Sequence, residues 1–258
     1  MHCVKGQVET VSQKIKAPNS KGGSGFLWGI VAILAIAAVV IGFLVVKNKG
    51  QSVDAESLPR EDVSFEMTTE DNAVVLASKD VKKDAPKVEI FEDFSCPHCA
   101  DLVEADHEDT LKALEDGDVI VKFRFLNFLD NGNVGSSTRG AATAWALAES
   151  GNVDAFWNMH NHMMLDQSTV ARTWGWDELA AAAGELGASE GVVNSIKEGN
   201  DGAASQAGQE IAAANAKDLE GRAGRVSSPI LYVDGEELPI TSGPDGKPAS
   251  WVPEVVKK

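Results

Sequence analysis

Residues 88–99 impose a particular junction on this chain. Val88, Ile90, Phe91 and Phe94 make the short apolar and aromatic run of a buried strand, leading straight into Cys96-Pro97-His98-Cys99. From Asp101 to Glu115, Leu102, Val103, Ala105, Leu111 and Leu114 recur at helical spacing among charges. A strand is therefore predicted to end, and a helix to begin, at the cysteines. Pro97 suits the first helical position, where its missing N–H costs no hydrogen bond and its fixed φ is already helical. That makes Cys96 the N-cap, its sulfur facing free N–H groups and the positive end of the helix dipole. A thiolate is stabilised there, so the Cys96 pKa should fall. Cys99 lies one turn on, on the same face and within reach of a disulfide. His98 between them can add positive charge or a hydrogen bond. The pattern is that of a redox pair.

Two other uses of a Cys-x-x-Cys carry less weight. A structural zinc site needs two further ligands, and the sequence offers only Cys3 and five histidines. His160 and His162, at i,i+2, point to different sides of a helix. A purely structural disulfide over two intervening residues would remove little chain entropy.

Asp93-Phe94-Ser95-Cys96-Pro97-His98-Cys99 resembles the active site of the DsbA-like thiol–disulfide oxidoreductases, in which Cys-Pro-His-Cys is the characteristic pair. The resemblance runs over residues 87–240. Ser136–Glu149 with Phe156-Trp157-Asn158-Met159-His160 is similar to that family's inserted helices, and Val226–Gly235 to the strand opening with its cis-proline loop. The resemblance implies an α/β, thioredoxin-like fold with an inserted helical subdomain at about 134–222, and no metal or organic cofactor. Cys96 would be the exposed attacking or attacked sulfur and Cys99 the buried resolving thiol. Pro97 and His98 would tune them, while Ser228 and Pro229 hold the substrate backbone. The implied partners are reduced exported polypeptides as substrates and a quinone-linked membrane oxidoreductase for reoxidation. The membrane-tethered actinobacterial members are the nearest type, and a monomer is expected. One departure stands out: many relatives carry a buried carboxylate six residues before the first cysteine, where this chain has Ile90. Glu92, on the same strand parity, is the alternative acidic group, and the proton acceptor of Cys99 stays open.

Phe26–Val46 runs for 21 residues without a charge, enough to cross about 30 Å of hydrocarbon as a helix. It exceeds a signal-peptide core and is followed by Lys47-Asn48-Lys49 instead of a small-residue cleavage site. The expectation is an uncleaved signal anchor at 26–46, with a cytoplasmic tail at 1–25, a linker at 47–64 and an extracytoplasmic domain at 65–258. Lys5, Lys14, Lys16 and Lys21 before the segment, against Lys47 and Lys49 after it, set that single-pass orientation in the cell membrane. Residues 1–50 hold six lysines against Glu9, so the remainder is more acidic still than the formal −16 of the whole chain. Such a surface repels nucleic acid, and nucleic-acid binding is set aside.

Short strands are predicted at 64–68, 72–77, 119–126 and 230–233, the last turning at Asp234-Gly235, a type I′ hairpin signal. Helices are predicted at 136–149, 154–166, 177–186, 189–197 and 203–219, with a short one at 251–256. Trp145, Phe156, Trp157, Met159, Met163 and Met164 read as packing between these helices. His107, His160 and His162 read as surface or packing residues, and Trp174-Gly175-Trp176 as a candidate substrate surface. Within the redox class, a reductase or isomerase is the alternative to an oxidase. A metal-binding or delivery module and a non-catalytic binding module are the alternatives outside it.

Overall fold

The computed structural model describes residues 58–244 and 246–256. The predicted signal anchor at 26–46 and the tail before it lie outside the described residues. Among the described residues no helix is long and apolar enough to cross a membrane.

A hairpin comes first: β1 (Glu66–Glu70) and β2 (Ala73–Ala77) pair antiparallel. β3 (Lys87–Asp93), α1 (Pro97–Glu115) and β4 (Ile120–Leu126) then form a parallel βαβ unit. Five inserted helices follow: α2 (Ser136–Glu149), α3 (Val153–Leu165), α4 (Trp176–Glu185), α5 (Glu190–Lys197) and α6 (Ala203–Ala223). The chain returns through β5 (Ile230–Val233) and β6 (Glu236–Leu238) and closes with α7 (Val252–Val255). The six-stranded sheet has the order β1-β2-β4-β3-β5-β6, with β3 near its centre. This is the α/β arrangement with helical insertion that the resemblance implied. Asp234 and Gly235 both take positive φ in the β5–β6 turn, as a type I′ hairpin requires.

Successive residues of β3 face opposite sides of the sheet. Val88 and Ile90 pack into the main core, with Leu102 and Val103 of α1 and Phe156 and Met159 of α3. Phe91 packs on the other face with Leu126, Ile230, Tyr232 and Leu219 of α6. That second face is fastened by charge as well. Glu89 accepts from Arg124 at 2.6 Å and from Arg222 of α6 at 3.2 Å, and the Arg222 guanidinium stacks 3.8 Å above the Tyr232 ring.

The insertion touches the redox strand directly at Gly140 of α2. A Cβ there would stand 2.5 Å from the Phe94 ring, so only a hydrogen fits between α2 and the end of β3. Gly135, the N-cap of α2, has no side chain to offer its free N–H groups. Asp130 does this work from a neighbouring 3₁₀ turn, accepting from the N–H of Gly135, Ser137 and Thr138 at 2.7–3.1 Å.

Two sequence expectations need correction. Residues 58–64, assigned to the linker, are docked on the domain: Glu61 accepts from the Trp157 indole at 2.9 Å and pairs with His107 at 3.1 Å, while its backbone exchanges hydrogen bonds with Asn158. On α1 the buried stripe includes Asp106 and excludes Ala105, because residues 99, 102, 103, 106, 110 and 113 share one helix face whatever their polarity.

Candidate active site

Cys96 caps α1 in extended conformation (φ −81°, ψ 117°), with Pro97 in the first turn. Its carbonyl accepts from the N–H groups of Cys99 at 3.1 Å and Ala100 at 3.3 Å, starting the helix, and its own N–H donates to the Asp93 carbonyl at 2.9 Å. β5 opens opposite Phe91, so the residues just before it arrive where β3 ends. There the Cys96 thiol donates to the Ser228 carbonyl at 3.3 Å, and the Ser228–Pro229 bond is cis. The structure thus brings Cys96, Cys99, Ser228 and Pro229 together, with both sulfurs as free thiols.

The two sulfurs are electrically unlike. Chiefly the Cys99 thiol, with the Ser228 side chain and the N–H groups of Cys99 and His98, lowers the Cys96 pKa to about 5 against the cost of burial. Burial pushes Cys99 well above the ordinary thiol range, and the Cys96 sulfur adds to this. Cys96 is not the exposed sulfur expected from the sequence. It is 6% accessible, and Cys99 is 1%. His98 contributes through its backbone N–H, while its ring is 76% exposed and stands 3.8 Å from Asp101.

Residues that local pattern did not single out complete the site. Asp93 is fully buried, accepts from the N–H groups of Ser95 at 2.9 Å and Leu129 at 3.3 Å, and is raised by burial to about 6. The Ser95 hydroxyl meets those of Ser136 and Ser137 at 2.9 Å each, tying the turn before Cys96 to the start of α2. Gln167 and Arg172, from the segment between α3 and α4, donate to the carbonyls of Cys96 and Ser95.

Behind α1 lies a buried ionisable cluster. His160, expected on the surface or in plain packing, is 1% accessible, and its Nε2 meets a Glu92 oxygen at 2.6 Å. It came to rest there because α3 packs against α1 and over the Glu92 side of β3. Burial opposes the His160 charge, but Glu92 outweighs it and the imidazole is raised. Asp106, also buried, is raised by burial and by the neighbouring Glu92 to about 8. His107 Nε2 and His162 Nδ1 each stand 3.1 Å from a carboxylate oxygen, of Glu61 and Asp166 respectively. At the candidate substrate surface of Trp174–Trp176, all three residues are half-buried; Trp174 packs on His162, and the Trp176 indole donates to Asn200 at 2.7 Å. Among the described residues no three His, Cys, Asp or Glu side chains are grouped to hold a metal ion.

A family model described as thioredoxin matches residues 82–246. Among solved structures, the MdbA protein of Corynebacterium diphtheriae, a thiol-disulfide oxidoreductase, is 42% identical over 71% of this chain and 92% of its own, with a TM-score of 0.67. The MdbA protein of Corynebacterium matruchotii, also a thiol-disulfide oxidoreductase, is 35% identical over 72% of this chain and 91% of its own, again with a TM-score of 0.67. The MdbA protein of Actinomyces oris, at 15% identity and a TM-score of 0.53, shares the fold. No curated protein matches the chain.

Proposed function

The chain belongs to the thioredoxin superfamily and, within it, to the DsbA-like thiol–disulfide oxidoreductases, and from that premise we propose that it oxidises exported polypeptides at the Cys96–Cys99 pair. The observation that carries this reading is the placement of the two sulfurs: Cys96 at the start of α1 beside the cis Ser228–Pro229 bond, where its pKa is lowered, and Cys99 buried one turn behind it, where its pKa is raised. In the oxidised enzyme a substrate thiolate attacks Cys96, the Cys96–Cys99 bond breaks, and Cys99 leaves with the electron pair and takes up a proton. A second substrate thiol, deprotonated, attacks the substrate sulfur of the mixed disulfide, and Cys96 leaves as the thiolate. The substrate has then lost two electrons and two protons, and the enzyme holds a reduced pair.

Cys96 is a good leaving group because its thiolate is stabilised, and the same stabilisation makes the reduced enzyme the favoured form. The disulfide contains no thiolate and gains nothing from those N–H groups. Pro97 fixes the start of α1, His98 supplies an N–H to the sulfur, and Ser228 with Pro229 offers the backbone edge beside Cys96 to a substrate. A quinone-linked membrane oxidoreductase would accept the electrons, and residues 26–46 would tether the monomeric enzyme at the outer face of the cell membrane.

The decisive experiment is the reduction potential of the pair, by equilibration with glutathione. An oxidase should sit well above the roughly −270 mV of thioredoxin. A value near thioredoxin's would make the protein a reductase.

A further inference from the structure

The segment between α3 and α4, residues 166–175, has no helix or strand of its own, yet it is firmly seated. Val170 and Ala171 are buried in the core, the Gln167 carbonyl accepts from the Arg172 N–H at 3.0 Å, and Arg139 of α2 donates to the Trp174 carbonyl at 3.1 Å. From this strap two side chains reach two consecutive carbonyls of the redox turn. Gln167, 6% accessible, donates through Nε2 to the Cys96 carbonyl at 2.9 Å. Arg172, exposed, donates through Nη2 to the Ser95 carbonyl at 3.1 Å. Among the described residues no ion pair joins the Arg172 guanidinium to a carboxylate, and it bonds the carbonyl of the residue just before Cys96 in an otherwise acidic domain.

We propose that Gln167 and Arg172 are positioning residues through which the helical insertion holds and charges the redox turn, so that the insertion takes part in stabilising the Cys96 thiolate. The inference rests on the exchange reaction argued above and adds to it two residues that touch neither substrate nor sulfur. Gln167 gives the Cys96 carbonyl a third donor besides the N–H groups of Cys99 and Ala100. That pins the peptide whose neighbours aim their N–H groups at the sulfur. Arg172 acts by charge. An exposed cation near a helix N-terminus contributes a modest, salt-sensitive stabilisation of an anion there. The other titratable group acting on Cys96 is Cys99 of α1; His98 acts through its backbone N–H, and the Asp93 carboxylate at the end of β3 is turned to the N–H groups of Ser95 and Leu129. Ser228 faces it from the loop before β5.

The test is the pH titration of thiolate absorbance near 240 nm in the reduced full chain, with thermal unfolding measured alongside. For Arg172→Gln the Cys96 midpoint should rise by about half a unit at low salt, about a threefold loss of thiolate at a pH below the midpoint. High salt should shrink the shift, and Arg172→Lys should keep most of the wild-type value. Gln167→Met should raise the midpoint by a similar amount and leave it salt-insensitive. Midpoints unmoved in both variants would overturn the inference, as would an Arg172→Gln shift that salt does not touch and lysine does not restore. A wild-type protein that exchanges no thiols would overturn the functional reading alone, because the titration would still report the strap.

Discussion

Glu92 and His160 meet at 2.6 Å in the interior, 68 residues apart in sequence, with each side chain 2% accessible. A buried pair of this kind is weak evidence for net stability, yet breaking it by removing one partner is costly. His160→Phe should destabilise the domain by about 3 kcal/mol, because Glu92 would lose its partner in a low-dielectric site. Adding Glu92→Leu should recover most of that loss. Denaturant unfolding of the two variants checks this; a single variant costing under about 1 kcal/mol would show that Glu92 finds another partner.

Asp106 should make the domain less stable as pH rises. Its folded value of about 8 exceeds the ordinary 3.8, so across about pH 4–8 the folded state holds a proton that the unfolded state has lost. The raised His160 acts in the same direction at higher pH: its contribution is complete below about 6.5 and disappears as pH climbs through the folded value. Asp106→Asn should therefore match wild type near pH 4 and exceed it by on the order of 2 kcal/mol at pH 8. Melting temperatures at the two pH values are the measurement.

Cys96 has the opposite sign, and only when reduced. Its folded value of about 5 lies below the ordinary 9, so the reduced domain gains stability as pH rises between these limits. The oxidised domain has no such group. Reduced protein should melt above oxidised protein at pH 7, by about 2 kcal/mol after allowing for solvent screening, and the gap should close toward pH 5. Calorimetry of both forms over pH 5–8 tests the sign; an oxidised form that is more stable at pH 7 would reverse the proposed direction of the chemistry.

Roles divide between the cysteines. Cys96→Ser should abolish exchange, since Cys99 is buried behind it at 1% accessibility. Cys99→Ala should leave Cys96 able to form mixed disulfides that are not resolved within the enzyme, so polypeptides accumulate on it. Non-reducing gels of the two variants distinguish these outcomes, and equal trapping by both would refute the assignment.

What could be read from the sequence was whatever physics keeps local. The strand–helix junction at Cys96, the five inserted helices and the Asp234-Gly235 turn depend on periodicity and on residues a few positions apart, and each lies in the structure within a few residues of its predicted place. The rest is long-range. No pattern around Gln167 or Arg172 points to carbonyls 71 and 77 residues earlier. His160 reads like any polar residue on an amphipathic helix until the fold brings Glu92 to it. Asp106 hides in a face whose periodicity suggested Ala105, and residues 58–64 read as tether because a single Glu61 does most of their docking.

Gly140 has a consequence for how such a chain can be rearranged. With only a hydrogen between α2 and the Phe94 ring, the insertion is not a cassette that could be exchanged for an unrelated helical module. A transplanted helix would need the same bare position, or a smaller ring on the strand, before it could seat against the turn carrying Cys96. The replaceable material lies farther out, in α4 and α5, which pack on other inserted helices. Recombination between relatives would find its tolerant crossover points there, and its forbidden ones at the α2 contact.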